Sequence, residues 1–319
     1  LKDATDIAPF IQAAEPTILL QIEKTLNRIG LKFDKFFNEN SLYESGAIEE
    51  VVAALRQKGL IYEKEGATWF KATKAGRDQD RVIIKSSGEP TYRLPDIAYH
   101  QNKFERGYDL IVDVLGADHM DAYPDVLAGI EQLGYDTNKV KVLIHQFVTL
   151  MEKGEPVKMS TRKAQYITLD ELIDEVGQDV VRYFFIMRGM NTHLNFDMDL
   201  AKDESDENPV YYLQYAHARL CNILKHAETQ GYKLDENIDL TPLTLDSEIN
   251  LIKLLLEFPN IIEKTKDNLE PQSIANYLQS LAGMFHKYYA KERVVTEETD
   301  KTAARLVLVK ALQIVLSNG

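Results

Sequence analysis

The sequence predicts an α/β plus all-α architecture, a parallel sheet succeeded by an α-helical bundle, and three features carry that expectation. Strand, helix and strand candidates follow one another between Gly107 and Leu150, a βαβ pattern that requires parallel strands. From Ile167 onward the apolar positions recur at helical spacing in one segment after another. The length, 319 residues, exceeds what a single hydrophobic core usually serves and implies two or three domains.

In chain order, residues 16–30 (PTILLQIEKTLNRIG) read as a helix with a glycine stop, and Ala47 to Lys58 repeats that pattern with Val51, Val52 and Leu55. GLIYEKEGATWFKA reads as a hairpin around Glu65-Gly66, and Val82 to Lys85 as a short strand. DLIVDVLG is a buried strand ending in glycine, MDAYPDVLAGIEQLG a helix with its stop, and KVKVLIHQFVTL a further strand rich in β-branched residues. A Gly-Pro loop, GEPVKMSTRK, leaves the carboxyl end of that strand, where open α/β sheets hold ligands. The helical candidates that follow are TLDELIDEVG, DVVRYFFIMRGM, NPVYYLQYAHARLCNILKHAE, SEINLIKLLLEF, PQSIANYLQSLAGMFHKYYA and AARLVLVKALQIVL. In the fifth, Ile274, Tyr277, Leu278, Leu281 and Phe285 form one apolar stripe. The acidic run DMDLAKDESDEN, residues 197–208, is the expected flexible joint.

Composition excludes several classes. With 37 basic and 50 acidic residues the net charge is −13, which argues against a histone-like nucleic-acid coat but permits local basic patches. Between Lys139 and Gln165 six basic residues (Lys139, Lys141, Lys153, Lys158, Arg162, Lys163) face two acidic ones (Glu152, Glu155), so the loop is an island of positive potential. No apolar run is long enough to cross a bilayer, and LKDATDIAPF carries charges where a signal peptide needs an apolar core. A soluble, intracellular protein is expected. The single cysteine, Cys221, sits between Leu220 and Ile223 in a helical pattern and reads as a packed thiol. His217 and His226 lie nine apart around it, a poor ligand spacing, and no zinc is expected.

GEPVKMSTRK contains no Walker or GxGxxG pattern. As a solvated turn it would need no further account; as a phosphate clamp it would use Lys158 as a mobile charge, Ser160 and Thr161 as hydroxyl donors and Arg162 as a fork. Lys-Met-Ser at a strand end resembles the KMSKS loop of class I aminoacyl-tRNA synthetases. Its neighbours agree in order and spacing: GEPTYRLPDIAYH (88–100), VLGADHMDAYPDVLAGIEQLGY (114–135), residues 145–188, and NPVYYLQYAHAR (208–219) resemble the arginyl-tRNA synthetase family. The resemblance spans nearly the whole chain and is most specific between Tyr92 and Arg219. Thr161 and Arg162 stand where the standard loop has Lys and Ser, so Arg162 and Lys163 are both candidates to replace the second lysine. The HIGH-like tetrad of class I enzymes does not occur. With the opening at Leu1 and the close at Ser317-Asn318-Gly319, this predicts a carboxyl-side fragment, inactive on its own.

The resemblance implies the second half of a class I Rossmann-like nucleotide fold with an inserted α+β segment. The expected domains are an insertion segment at 1–80, the carboxyl half of the catalytic domain at 81–165, a helical junction at 166–204 and an anticodon-binding helical domain at 205–319. It also implies that the parent activates arginine with ATP and Mg2+, then acylates tRNA(Arg), as a cytoplasmic monomer without membrane attachment. Lys158, Ser160, Arg162 and Lys163 would act on the phosphates, and His119, Val157 and Met159 would join them in holding ATP.

A guanidinium is a permanent cation, so its pocket must supply carboxylate. Tyr92 and Asp96, one helical turn apart, match the family's tyrosine and aspartate around it, and Asp118 in GADH is the next candidate. Each has a plainer reading: Tyr92 as core aromatic, Asp96 as helix N-cap, Asp118 as strand-end cap. Tyr211, Gln214, Tyr215, His217 and Arg219 offer the stacking and arginine contacts by which single-stranded RNA is read, or else line a bundle core. The alternatives are a stand-alone tRNA-binding module without activation chemistry, and a class I synthetase for another amino acid.

Overall fold

The computed structural model describes residues 8–157, 166–235 and 237–319. These form two compact units, one of residues 33–147 with 190–193, the other of the described residues within 1–32, 148–189 and 194–319.

The first described element is α1 (Ala8–Arg28), which belongs to the second of these units. It starts two turns before Pro16, where the sequence pattern begins. Proline removes one helical N–H, and nearby the Thr17 hydroxyl donates to the Ala13 carbonyl at 3.1 Å.

In the α/β unit, α2 (Asn40–Glu44) and α3 (Ala47–Gln57) precede an antiparallel sheet of β1 (Ile61–Lys64), β2 (Ala67–Phe70) and β3 (Arg81–Ile84). The β1–β2 turn is Glu65-Gly66, both at positive φ (55° and 75°), which matches the right-handed twist of the strands it joins. Then α4 (Arg93–Glu105), β4 (Ile111–Gly116), α5 (Tyr123–Leu133) and β5 (Val140–His145) follow. β4 and β5 pair in parallel from Ile111↔Val140 to Gly116↔His145, the expected βαβ unit. Val51, Leu55, Phe70, Ile83, Leu94, Ile97 and Ile130 make one core that packs α3, α4 and α5 on the antiparallel sheet.

The expected strand KVKVLIHQFVTL is two strands. β5 ends at His145, and β6 (Val148–Glu152) joins another sheet, antiparallel to β7 (Glu155–Pro156) and parallel to β8 (Leu194–Asp197). The break falls at Gln146-Phe147, where the Gln146 amide bonds the Met190 carbonyl at 3.1 Å instead of continuing a ladder. The basic loop therefore follows the β6–β7 hairpin rather than the strand of the βαβ unit. Between β7 and β8 come α6 (Leu169–Val176), closed by a Thr168–Glu171 capping box, and α7 (Gln178–Ile186).

Residues 197–208, expected as a flexible joint, are folded. Asp197 caps α8 (Met198–Lys202), whose Met198 and Ala201 are buried, and Asn208 is fully buried, donating to the carbonyls of Ala201 and Asp203. Its acidic side chains serve as local caps, which composition alone does not distinguish from a solvated linker.

The remaining helices are α9 (Pro209–Thr229), α10 (Asp246–Leu256), α11 (Phe258–Asn268), α12 (Gln272–Tyr289) and α13 (Thr299–Asn318). The predicted stripe on α12 faces inward: Tyr277, Leu278, Leu281 and Phe285 are buried with Leu220, Leu251, Val309 and Leu312. Among the described residues no helix is long and apolar enough to cross a membrane.

Candidate functional site

The first turns of α4 carry the strongest candidates. Tyr92 occupies the N-cap position and is 59% exposed, so it is not a core aromatic; the Arg93 guanidinium lies over its ring at 4.9 Å. Asp96 is half-buried on the first full turn, flanked by the buried Leu94, Pro95, Ile97 and Ala98. Its amide bonds the Tyr92 carbonyl, and its carboxylate makes no hydrogen bond or ion pair with a described residue, so it does not cap the helix. Burial pushes the Asp96 carboxyl up, while His100, Lys103 and His119 oppose that rise and Glu39 adds to it. A half-buried carboxylate without a partner is an electrostatic vacancy that suits a cation.

At the end of β4, GADH folds into a short 3-10 turn, Ala117–His119. Asp118 is exposed and lies back over Gly116, where an added Cβ would stand only 2.5 Å from its Oδ1. His119 is exposed too, 3.8 Å from Asp118, and near enough to act on Asp96. Tyr92, Asp96 and His119 thus gather at one end of the α/β unit, with Asp118 turned onto its own backbone.

Val157 closes the β6–β7 hairpin through its amide to the Leu150 carbonyl at 2.8 Å. Lys158, Met159, Ser160, Thr161, Arg162 and Lys163 lie outside the described residues. The turn of the hairpin is tied down, since the Lys153 amide, at positive φ, donates to Asp199 of α8 at 2.5 Å.

In the helical unit the structure divides the predicted RNA contacts. Tyr215 and Arg219 come together on α9, with the guanidinium 4.4 Å from the Tyr215 ring and 5.5 Å from that of Tyr289. They line a cavity of about 640 Å³ together with His226, Tyr289 and Arg293. Tyr211 lies two turns before Arg219 and is partly exposed. Gln214 instead bonds Asp179 at 3.0 Å, and His217 faces Cys221 at 3.8 Å. The Cys221 thiol accepts from Gln313 at 3.3 Å and is a packed group, as expected.

Sequence reading missed two charge clusters. Asp113, inward on β4, binds His100 and Lys103 of α4; its signal was an aspartate inside the apolar run DLIVDVLG. Asp125, on the first turn of α5, receives Arg77, Arg81 and Arg93 at 3.1, 2.8 and 3.0 Å. Burial would raise this carboxyl, but the three guanidinium groups outweigh it and hold Asp125 below the usual range. No spacing rule links these residues, which come from β3, α4, β4, α5 and the loop before β3.

A parallel βαβ unit preceded by an antiparallel sheet, a charged α4 terminus and a helical bundle define a class I aminoacyl-tRNA synthetase fold. A Thermus thermophilus arginyl-tRNA synthetase structure, 20% identical, shares this fold with a TM-score of 0.79 over 96% of this chain and 62% of its own. Residues 9–204 match the family of class I (R) tRNA synthetase catalytic domains, and residues 213–319 match the DALR anticodon binding domain. The arginine–tRNA ligases of Desulfotalea psychrophila and Salinibacter ruber are 52% and 51% identical over 100% and 98% of this chain. A solved arginyl-tRNA synthetase from Campylobacter jejuni is 32% identical, with a TM-score of 0.86 over 98% of this chain and 69% of that one. The chain belongs to the arginyl-tRNA synthetase family. It spans 58% and 56% of the length of the two ligases.

Proposed function

We propose that the chain is the carboxyl-side part of an arginyl-tRNA synthetase that activates arginine with ATP and transfers it to tRNA(Arg). The observation that carries this reading is the half-buried, unpartnered carboxylate of Asp96 beside Tyr92. Its oxygens are the acceptors that a guanidinium requires, with Asp118 as a further acceptor at the edge. His119, Val157 and Met159 contact ATP, with Mg2+ entering on the nucleotide. Lys158, Ser160, Arg162 and Lys163 stabilise charge on the phosphates as arginine's carboxylate displaces pyrophosphate from the α-phosphate. No covalent enzyme intermediate is required, so catalysis consists of positioning and charge stabilisation.

Tyr211, Gln214, Tyr215, His217 and Arg219 contact tRNA, and Tyr215 with Arg219 is the pair best arranged for stacking on a base. The domain division at 80, 165 and 204, a monomeric state and a cytoplasmic location complete the reading. The 319-residue chain alone should show no arginine-dependent ATP–pyrophosphate exchange, with or without tRNA, whereas the complete synthetase carrying it should. Lys158→Ala in the complete enzyme should lower activation by roughly 10²-fold with arginine affinity nearly intact. Exchange by the isolated chain, or wild-type turnover in that variant, would overturn these assignments.

A further inference from the structure

The α4 turn that carries Asp96 is flanked by two basic side chains that point elsewhere. His100, one turn on, places Nδ1 2.8 Å from the Asp96 carbonyl oxygen and Nε2 2.7 Å from Oδ2 of Asp113. Both partners are acceptors, so both contacts are hydrogen bonds only when both ring nitrogens carry protons. Lys103, on the next turn, donates from Nζ to the other Asp113 oxygen at 2.5 Å. Asp113 is 7% exposed, on a strand whose neighbouring inward residue is Ile111.

A buried ion pair of this kind contributes little net stability over apolar side chains of similar volume, so packing alone gives no reason for Asp113. Its effect on Asp96 does. Both His100 and Lys103 bear on the Asp96 carboxylate electrostatically, as do His119 and, with opposite sign, Glu39. Neither bonds its oxygens, because Asp113 holds both. Both groups therefore act on Asp96 from a distance, opposing the rise that burial causes, while leaving its lone pairs free.

We propose that Asp113 is a positioning residue for cation recognition, holding His100 and Lys103 on β4 so that neither closes on Asp96 and its carboxylate stays open for an incoming guanidinium. This rests on the reading of Asp96 given above. Without the second carboxylate oxygen of Asp113, the Lys103 ammonium, on a long and flexible stem, becomes an internal competitor for the same acceptor.

The test is a cycle in the complete synthetase, reading KM for arginine, KM for ATP, kcat and the thermal midpoint. Asp113→Asn keeps an acceptor for His100 but turns away Lys103, and should raise the arginine KM about tenfold with ATP KM and kcat within about twofold. In the Lys103→Met background, where no ammonium can be released, Asp113→Asn should leave the arginine KM within about twofold. The thermal midpoint of each variant separates a loss of folding from a loss of recognition. A tenfold rise in both backgrounds, equal losses for ATP and arginine, or no rise at all would overturn the proposal. Asp96→Asn is measured alongside. An unchanged arginine KM there removes the reading of Asp96 and the proposal with it, whereas a large rise combined with a silent Asp113→Asn removes the proposal alone.

Discussion

The helical bundle and the α4 terminus both bury charge, and they finish the job differently. In the bundle, Arg305 and Glu248 are 2% and 0% exposed and bonded at 2.7 Å. Arg305 also reaches Glu292 at 3.1 Å and the Arg293 carbonyl, while Glu248 accepts from the Leu245 amide at 3.0 Å and from Tyr288. Burial pushes the Tyr288 hydroxyl far up, so it stays a neutral donor. Every charge there meets its opposite. On α4, Asp96 is left without a bonded partner while its neighbours Asp113 and Asp125 are saturated by His100, Lys103 and three arginines. A closed charge network specifies how helices meet; an open one in the same fold leaves a vacancy for something that arrives later.

The largest expected effect separates these roles. Arg305→Ala strands Glu248 in the bundle core and should destabilise the chain by about 3–5 kcal/mol in urea unfolding. A loss below about 1 kcal/mol would mean that the bundle's network is not what fixes its core. Asp96→Asn should do the reverse. Arginine affinity of the complete synthetase should fall by about two to four powers of ten, while stability holds or rises by up to about 1 kcal/mol, because a desolvated charge is removed. Equal losses of arginine and ATP binding would make Asp96 structural and erase the contrast.

Tyr92→Phe sharpens the contrast at smaller scale. It removes one exposed hydroxyl, worth about 1.5–3 kcal/mol if that group meets a charged ligand and less otherwise, and ATP binding should barely change. Unchanged arginine affinity would confine recognition to the carboxylate.

How much of this was legible in the sequence follows from the range of each interaction. The Glu65-Gly66 turn and the α12 stripe depend on residues a few positions apart, and both agree with the sequence reading. The pairing of α/β and helical parts, and the Tyr92–Asp96 spacing, were legible for the same reason. The division of KVKVLIHQFVTL between two sheets was not, because β6 is defined by β8, over forty residues later, and β-branched composition is alike on both sides of Gln146. The acidic run 197–208 misled in the same way, since Asp197 as a cap and Asn208 as a buried tie look like linker residues until their partners are known. Asp113 and Asp125 show the limit for sites, because their partners come from other elements and no local pattern announces them.

The smallest effect is in pH dependence, and the two aspartates should differ in sign. Burial, the largest influence, raises Asp96, so ionising it costs more in the folded chain than in the unfolded one. Its contribution to stability therefore declines as pH rises from the ordinary carboxylate range through its raised folded value. Burial would raise Asp113 as well, but hydrogen bonds and charge from His100 and Lys103 outweigh it and hold that carboxyl low. Its contribution is present above the ordinary range and disappears as pH falls through the depressed folded value. Stability curves of the chain should show the difference: Asp96→Asn removes a loss on the upper side of the carboxylate range, and Asp113→Asn removes one on the acid side. Arginine binding adds a second readout, since only ionised Asp96 can pair with a guanidinium. In the complete synthetase, affinity for arginine should weaken on acidification at a pH above the ordinary aspartate value, and Asp96→Asn should abolish that dependence. A midpoint at or below the ordinary value would show that ligand binding is governed by a paired carboxylate, and the open vacancy on α4 would lose its role.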